Sequence, residues 1–226
     1  MDKDKKEKIN MDKDKEEKIN EAFYAAAVEG DLVKFDEAVA MGADLRYLSP
    51  TDYDIRSPLG CIGRDDIIGD GDNSALHAAC HEGFVPIIER LLDLDASLVD
   101  CKNSYLQTPL ILAILHGHDK VAELLLNRGA GINEKDNYEC SPLHYASSYG
   151  RVGIVELLLA RGANNLADAG YYESFPIHCA AEWGHEEVVD ILSKWPLIEV
   201  VILLKEIGVY HECEALFFID IWQYII

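Results

Sequence analysis

The chain has 226 residues, an apolar fraction of 49% and a formal charge of −21 at pH 7, enough apolar surface for a continuous core and too much for disorder throughout. So acidic a chain repels phosphate backbones and anionic membranes, which argues against nucleic-acid binding and favours a partner with a basic surface. The charged N-terminus has no apolar signal segment and no uncharged apolar run is long enough to cross a bilayer, so neither a secretory leader nor a membrane span is expected.

The first 20 residues are a decapeptide written twice, Met1 to Asn10 and Met11 to Asn20, differing at Lys6 and Glu16 and holding seven Lys against seven Asp or Glu. This neutral, highly charged stretch buries too little to fold alone and reads as a solvated tail or a frayed helical extension. From Glu21 onward the pattern is helix, short turn, helix. A block built on Leu-His and closing on Gly recurs: Leu76-His77 to Gly83, Pro109-Leu110 to Gly117, Pro142-Leu143-His144 to Gly150, and Pro176-Ile177-His178 to Gly184. The closing glycines thus follow one another at a nearly fixed period, which marks stacked supersecondary units that cannot bury their apolar faces singly.

Within the third unit, Pro109 opens a helix that ends near Gly117, and Lys120 to Arg128 forms a second with Val121, Leu124 and Leu125 on one face. Gly129-Ala130 and Gly162-Ala163 terminate second helices, at the same offset from Gly117 and Gly150 respectively. A first, degenerate unit runs through Phe23-Tyr24-Ala25-Ala26-Ala27 to Gly30 and Gly42-Ala43. About 20 additional residues over 46–70, containing Pro50, Pro58, Gly60, Gly63 and Gly69, separate it from the second.

The pattern resembles the ankyrin repeat, whose motif is Asp-x-x-Gly-x-Thr-Pro-Leu-His-x-Ala-Ala-x-x-Gly followed by an apolar helix and Gly-Ala. The resemblance covers residues 21–196 and implies an all-α solenoid of about five helix-turn-helix units with finger loops. Several positions depart from the motif. Asp72, Leu106, Glu139 and Glu173 stand where the family's finger loop turns on Gly, Ile111 replaces the His of unit three, and Asp95 and Pro196 replace terminating glycines. Residues 197–226 resemble no full unit and end on an apolar run. They would cap unit five, dock on a partner or mark a truncation.

Stacking aligns equivalent positions about 10 Å apart, so columns carry more information than isolated residues. Tyr105, Tyr138 and Tyr172 each stand four residues before their unit's Pro, at the finger tips. They form either an exposed contact row or rings packed on the neighbouring turn. The resemblance places the two residues before each Gly on a concave groove: His81 and Glu82, Leu115 and His116, Ser148 and Tyr149, Glu182 and Trp183. Leu115, Tyr149 and Trp183 would form its apolar centre, rimmed by His81, His116 and the Glu residues, unless Trp183 instead covers the C-terminal segment. Asp36, Glu89, Glu123, Glu156 and Asp190 form an outer acidic column that reads as a solvated ridge.

Chemistry is not indicated by these residues. His77, His144 and His178 sit in separate layers, too far apart to share one ion, and the resemblance gives each a structural bond across the finger loop. His81-Glu82, His185-Glu186 and His211-Glu212 lack the second His of a zinc-protease helix, and adjacent Cys80-His81 and His178-Cys179 do not face each other on a helix. The Gly69 to Ser74 stretch fails as a nucleotide or calcium loop. No catalytic residue, metal or cofactor is therefore expected.

Six cysteines, Cys61, Cys80, Cys101, Cys140, Cys179 and Cys213, show neither Cys-x-x-Cys spacing nor the density of a disulfide scaffold. They read as free thiols of an intracellular protein, cytoplasmic or nuclear, though an effector exported by a non-classical route would have the same composition. The expected function is non-catalytic protein binding as an adaptor, scaffold or inhibitor, by a monomer unless the C-terminal segment self-associates. The alternative is the regulatory or targeting part of a larger enzyme or secreted effector whose catalytic domain lies outside this chain.

Overall fold

The computed structural model describes residues 3–49, 72–164 and 175–195. Helix α1 (Lys3–Glu29) runs without interruption through the second decapeptide into the first helix of unit one, and α2 (Leu32–Ala40) completes that unit. Unit two is α3 (Ala75–Glu82) and α4 (Val85–Leu94). Unit three is α5 (Pro109–Leu115) and α6 (Asp119–Asn127), and unit four is α7 (Pro142–Ser148) and α8 (Val152–Ala160). Unit five is α9 (Pro176–Glu182) with α10 over residues 186–195. The expected all-α repeat architecture is present.

Local chemistry sets each boundary. Ser74 and Thr108 precede the first helical residue in extended conformation and cap it with their hydroxyls, while Pro109, Pro142 and Pro176 occupy the first turn, where no amide donor is needed. Gly83, Gly117, Gly150 and Gly184 then stop the first helices in the left-handed conformation, with φ between 61° and 80°.

Second helices bury a stripe one residue wider than a single row: Ile87, Ile88, Leu91 and Leu92 in α4; Val121, Ala122, Leu125 and Leu126 in α6; Ile154, Val155, Leu158 and Leu159 in α8. First helices sit between neighbours, and every residue of α5 is buried because α3 and α7 flank it. Ile111 therefore replaces the motif's His by filling core volume. Each fully buried Leu or Ile contributes about 1.5–3 kcal/mol of transfer free energy. The resulting core is one continuous cluster from Phe23 to Leu192, as expected where units stabilise each other through shared faces.

Three departures from the motif have structural solutions. Asp95 ends α4 in extended conformation rather than as a left-handed Gly, and its carboxylate accepts the Ser97 amide at 2.9 Å. The backbone then enters a 3₁₀ turn, Ala96–Asp100, that buries Leu98 and Val99. At the finger tips, Leu106 and Glu139 both hold φ 58°, so the turn keeps the glycine conformation without the glycine.

The third departure is a small antiparallel pair, β1 (Leu48–Ser49) with β2 (Asn73–Ser74), in which Leu48 faces Ser74 and Ser49 faces Asn73. The helical pattern gives no sign of it. It brackets residues 50–71, which with Tyr171, Tyr172, Glu173 and the 197–226 segment lie outside the described residues.

On the outer face Glu89, Glu123, Glu156 and Asp190 are exposed. Cations from the next unit step across it: Arg90 to Asp36 and Arg128 to Asp93, each at 2.8 Å. Such solvated pairs contribute little individually.

Candidate functional site

The finger loops are held from inside. Asn103 Oδ1 accepts the amides of Tyr105 and Gln107 at 3.0 and 2.9 Å, and Asp136 Oδ1 accepts those of Tyr138 and Cys140 at 2.9 and 3.0 Å. Asp136 is 2% exposed, and its other oxygen accepts the Tyr145 hydroxyl. Burial pushes its carboxyl up against the opposing pull of these donors. Successive fingers are tied directly, the Asn137 amide donating to the Tyr105 carbonyl at 2.9 Å. Tyr105 and Tyr138 at the tips are half-buried, and Tyr138 packs on the core. Both tips are thus partly covered and partly open to solvent.

The motif histidines close the same loops. His77 Nδ1 accepts the Ser74 amide at 3.3 Å, which leaves the proton on Nε2, and Nε2–H donates to the Gln107 carbonyl of the next unit at 3.0 Å. His144 and His178 repeat the first of these bonds with Ser141 and Phe175.

Along the inner face, the position two before each Gly differs from the position one before it. In units three and four the former is buried. Leu115 is 2% exposed and Ser148 is buried, so Leu115 belongs to the core and the expectation that it forms the groove centre is corrected. The position one before Gly reaches the surface: Glu82, His116 and Tyr149 are half-buried and Trp183 is 46% exposed.

Units two and three meet there as an imidazole pair, His81 and His116, with ring centroids 3.9 Å apart. His81 Nδ1–H donates to Glu82 at 2.8 Å. His116 has a buried Nε2 without an acceptor, and burial, with His81 and His118 adding to it, pushes its pKa down to about 4. The file is therefore polar over units two and three and aromatic over units four and five.

A further column emerges from the packing. The residue after each Gly lies over the left-handed Gly of the preceding unit: Phe84 over Gly30, His118 over Gly83, Arg151 over Gly117 and His185 over Gly150. His118 Nε2–H also donates to the His81 carbonyl at 2.7 Å, and His185 Nε2–H to the Ser148 carbonyl at 2.8 Å. Phe84, His118, Arg151 and His185 share one register offset in the sequence, so a signal exists there. It is hidden because the four side chains differ chemically and only packing against a bare glycine unites them.

Cys80, Cys101, Cys140 and Cys179 are free thiols. Burial pushes Cys101 up to about 11 and raises Cys80 well above its ordinary value, which leaves both largely unionised and unreactive at neutral pH. Among the described residues no cluster of three or more His, Cys, Asp or Glu is arranged to hold a metal, and no helix is long and apolar enough to cross a membrane.

A family model for ankyrin repeats (3 copies) matches residues 25–136 and 128–201. No curated protein matches the chain. Ankyrin repeats are generally protein–protein interaction modules and typically non-catalytic. The matched stretches span most of the sequence, and the five helix pairs among the described residues follow one register, so the chain belongs to the ankyrin-repeat family.

Proposed function

We propose that this chain is a non-catalytic binding module, acting as an adaptor, scaffold or inhibitor. Its partner lies along the inner-face residues His81, His116, Tyr149 and Trp183 and against the finger tips Tyr105 and Tyr138; Tyr172, outside the described residues, is the equivalent sequence position in unit five. The observation that carries the reading is Trp183. It is the most exposed Phe, Tyr or Trp among the described residues, at the end of a file whose other members are half-buried. An indole in water is an anchor awaiting a pocket, and Trp and Tyr dominate binding hot spots because they bury a large area at low entropic cost.

The test compares the wild-type protein with a Tyr138→Ala, Tyr149→Ala, Trp183→Ala triple variant and with Trp183→Ala alone. Each is immobilised and exposed to native lysate, and affinity is then measured for the purified captured protein. Loss of two or three anchors weakens binding by ~100-fold or more. Circular dichroism and thermal unfolding check the fold, and Trp183→Ala is the variant least able to disturb it. Capture unchanged in both variants sinks the reading.

A further inference from the structure

Five arginines fall among the described residues, and four are paired. Arg46, Arg90 and Arg128 bond Asp95, Asp36 and Asp93 at 2.9, 2.8 and 2.8 Å, and Arg161 bonds the Asn127 amide oxygen at 2.5 Å. Arg151 has no such partner. Its Nε is buried without an acceptor, while its terminal nitrogens are not buried. In a protein with 41 acidic residues against 20 Lys and Arg, carboxylates are abundant, yet none among the described residues meets this guanidinium.

Position sharpens the contrast. Arg151 occupies the column in which His118 and His185 each bond a carbonyl of the preceding unit, two residues before its Gly. The equivalent carbonyl for Arg151 is that of Leu115, and Arg151 does not bond it. The guanidinium lies instead on Gly117, with Nη2 where a Cβ would collide with it. Unit four therefore forgoes a hydrogen bond that its neighbours in the column make, and holds a charged fork against the backbone of the preceding unit's Gly117. Giving up a structural bond for an unpaired charge is what a binding position does, at the expense of stability.

We infer that Arg151, two residues after Tyr149, receives a carboxylate from the protein partner, an Asp or Glu side chain or a terminal carboxylate, over Gly117. A guanidinium fork matches a planar carboxylate bidentately and is less strongly hydrated than an ammonium, so it suits a site that closes on docking. One guanidinium balances one carboxylate. A phosphate dianion would find no second Arg or Lys in the column Phe84, His118, Arg151, His185, and the net charge of −21 opposes a dianion more strongly. The partner thus carries a single acidic anchor, whatever the charge of its remaining surface.

This inference rests on the groove being a protein-binding face, and its test is independent of any particular partner. The probe is glutarate, titrated into the full ¹⁵N-labelled protein at constant ionic strength, with inorganic phosphate as a parallel arm. The expected result is a saturable shift of the Arg151 Nε–Hε resonance and of the Gly117 and Gly150 amides in the wild type, with the two amide shifts lost in Arg151→Gln and Arg151→His. Arg151→His should also restore the column's bond to the Leu115 carbonyl and raise Tm by ~2–4 °C, which shows that its loss of binding is not loss of fold.

A glutarate response absent from the wild type, retained in Arg151→His, or exceeded by phosphate overturns the inference, as does a lower Tm in that histidine variant. If glutarate binds at Arg151 while the Tyr138, Tyr149, Trp183 variant still captures its partner normally, the groove reading fails and the carboxylate site stands. The reverse pattern removes the site and leaves the groove reading intact.

Discussion

His77 Nε2–H donates to the carbonyl of Gln107, 3.0 Å away and 30 residues further along the sequence. One imidazole thereby joins the first helix of unit two to the finger base of unit three. The ring is fully buried, and burial pushes its pKa down to about 4, so it is neutral in the folded protein at pH 7. The unfolded ring titrates near 6.5. Between these values the unfolded state binds more protons, so the stability present above pH 6.5 is lost as pH falls toward 4, by at most about 1.4 kcal/mol per pH unit from this residue.

Urea unfolding at pH 7, 6 and 5 should show that loss, and His77→Asn should be less stable at pH 7 by about 1–3 kcal/mol and have a shallower pH slope. His116, also pushed down by burial, acts in the same direction in both proteins, whereas Asp136, pushed up by burial, acts in the opposite direction just above its unfolded value. The slope difference between wild type and variant therefore isolates His77. Equal slopes would assign the pH dependence elsewhere.

Gly83, Gly117 and Gly162 all hold positive φ, but their surroundings differ. A Cβ at Gly83 would stand 2.6 Å from His118 Nδ1, in a ring fixed by its bond to His81; at Gly117 it would meet the mobile end of Arg151; at Gly162 it would meet nothing within 4 Å. Gly162→Ala should cost only the left-handed strain of about 1–2 kcal/mol. Gly83→Ala should exceed it by about 1–3 kcal/mol through overpacking, with Gly117→Ala between them. Chemical denaturation of the three variants checks the order, and equal costs would show that the packing on glycine is unimportant.

Leu106 and Glu139 keep φ 58° at the finger tips without being glycine. The conformational strain of about 1–2 kcal/mol exceeds the entropic penalty of glycine, about 0.5–1 kcal/mol. Leu106→Gly and Glu139→Gly should therefore each stabilise the fold by up to about 1 kcal/mol, read as a higher urea midpoint at unchanged m. Glu139→Ala should give no such gain. A destabilised glycine variant would mean that contacts of the side chain, rather than backbone geometry, hold the tip.

Cys80 and Cys101 should resist a thiol reagent at pH 8 until the protein unfolds, because burial keeps both thiols protonated. Mass spectrometry after timed labelling measures this per residue. Rapid labelling of either in the folded state would contradict its environment.

The period, the capping Ser, Thr and Pro residues and the terminating glycines are all local signals, and the helices begin and end within a few residues of where those signals lie. Leu115 shows the limit of such reading. Its place just ahead of Gly117 is a groove position by resemblance, yet it is buried in a helix flanked by both neighbouring units, and whether a helix-end side chain meets solvent depends on neighbours one full repeat away. Leu106 and Glu139 show the converse, since the tertiary hydrogen bonds of Asn103 and Asp136 impose a conformation that their own side chains disfavour.

A repeat specifies its own contacts through nearest neighbours, so the order of residues sufficed for a stack of five helix pairs, and the ankyrin resemblance for the structural role of its motif histidines. Which side chains of the groove are accessible, and which of the described arginines lacks a partner, emerged only once the units were packed. Arg151 stands in the same column as His118 and His185, and its difference from them is a missing bond. Pairing between layers is a property of three-dimensional distance, which residue order along one polypeptide does not contain.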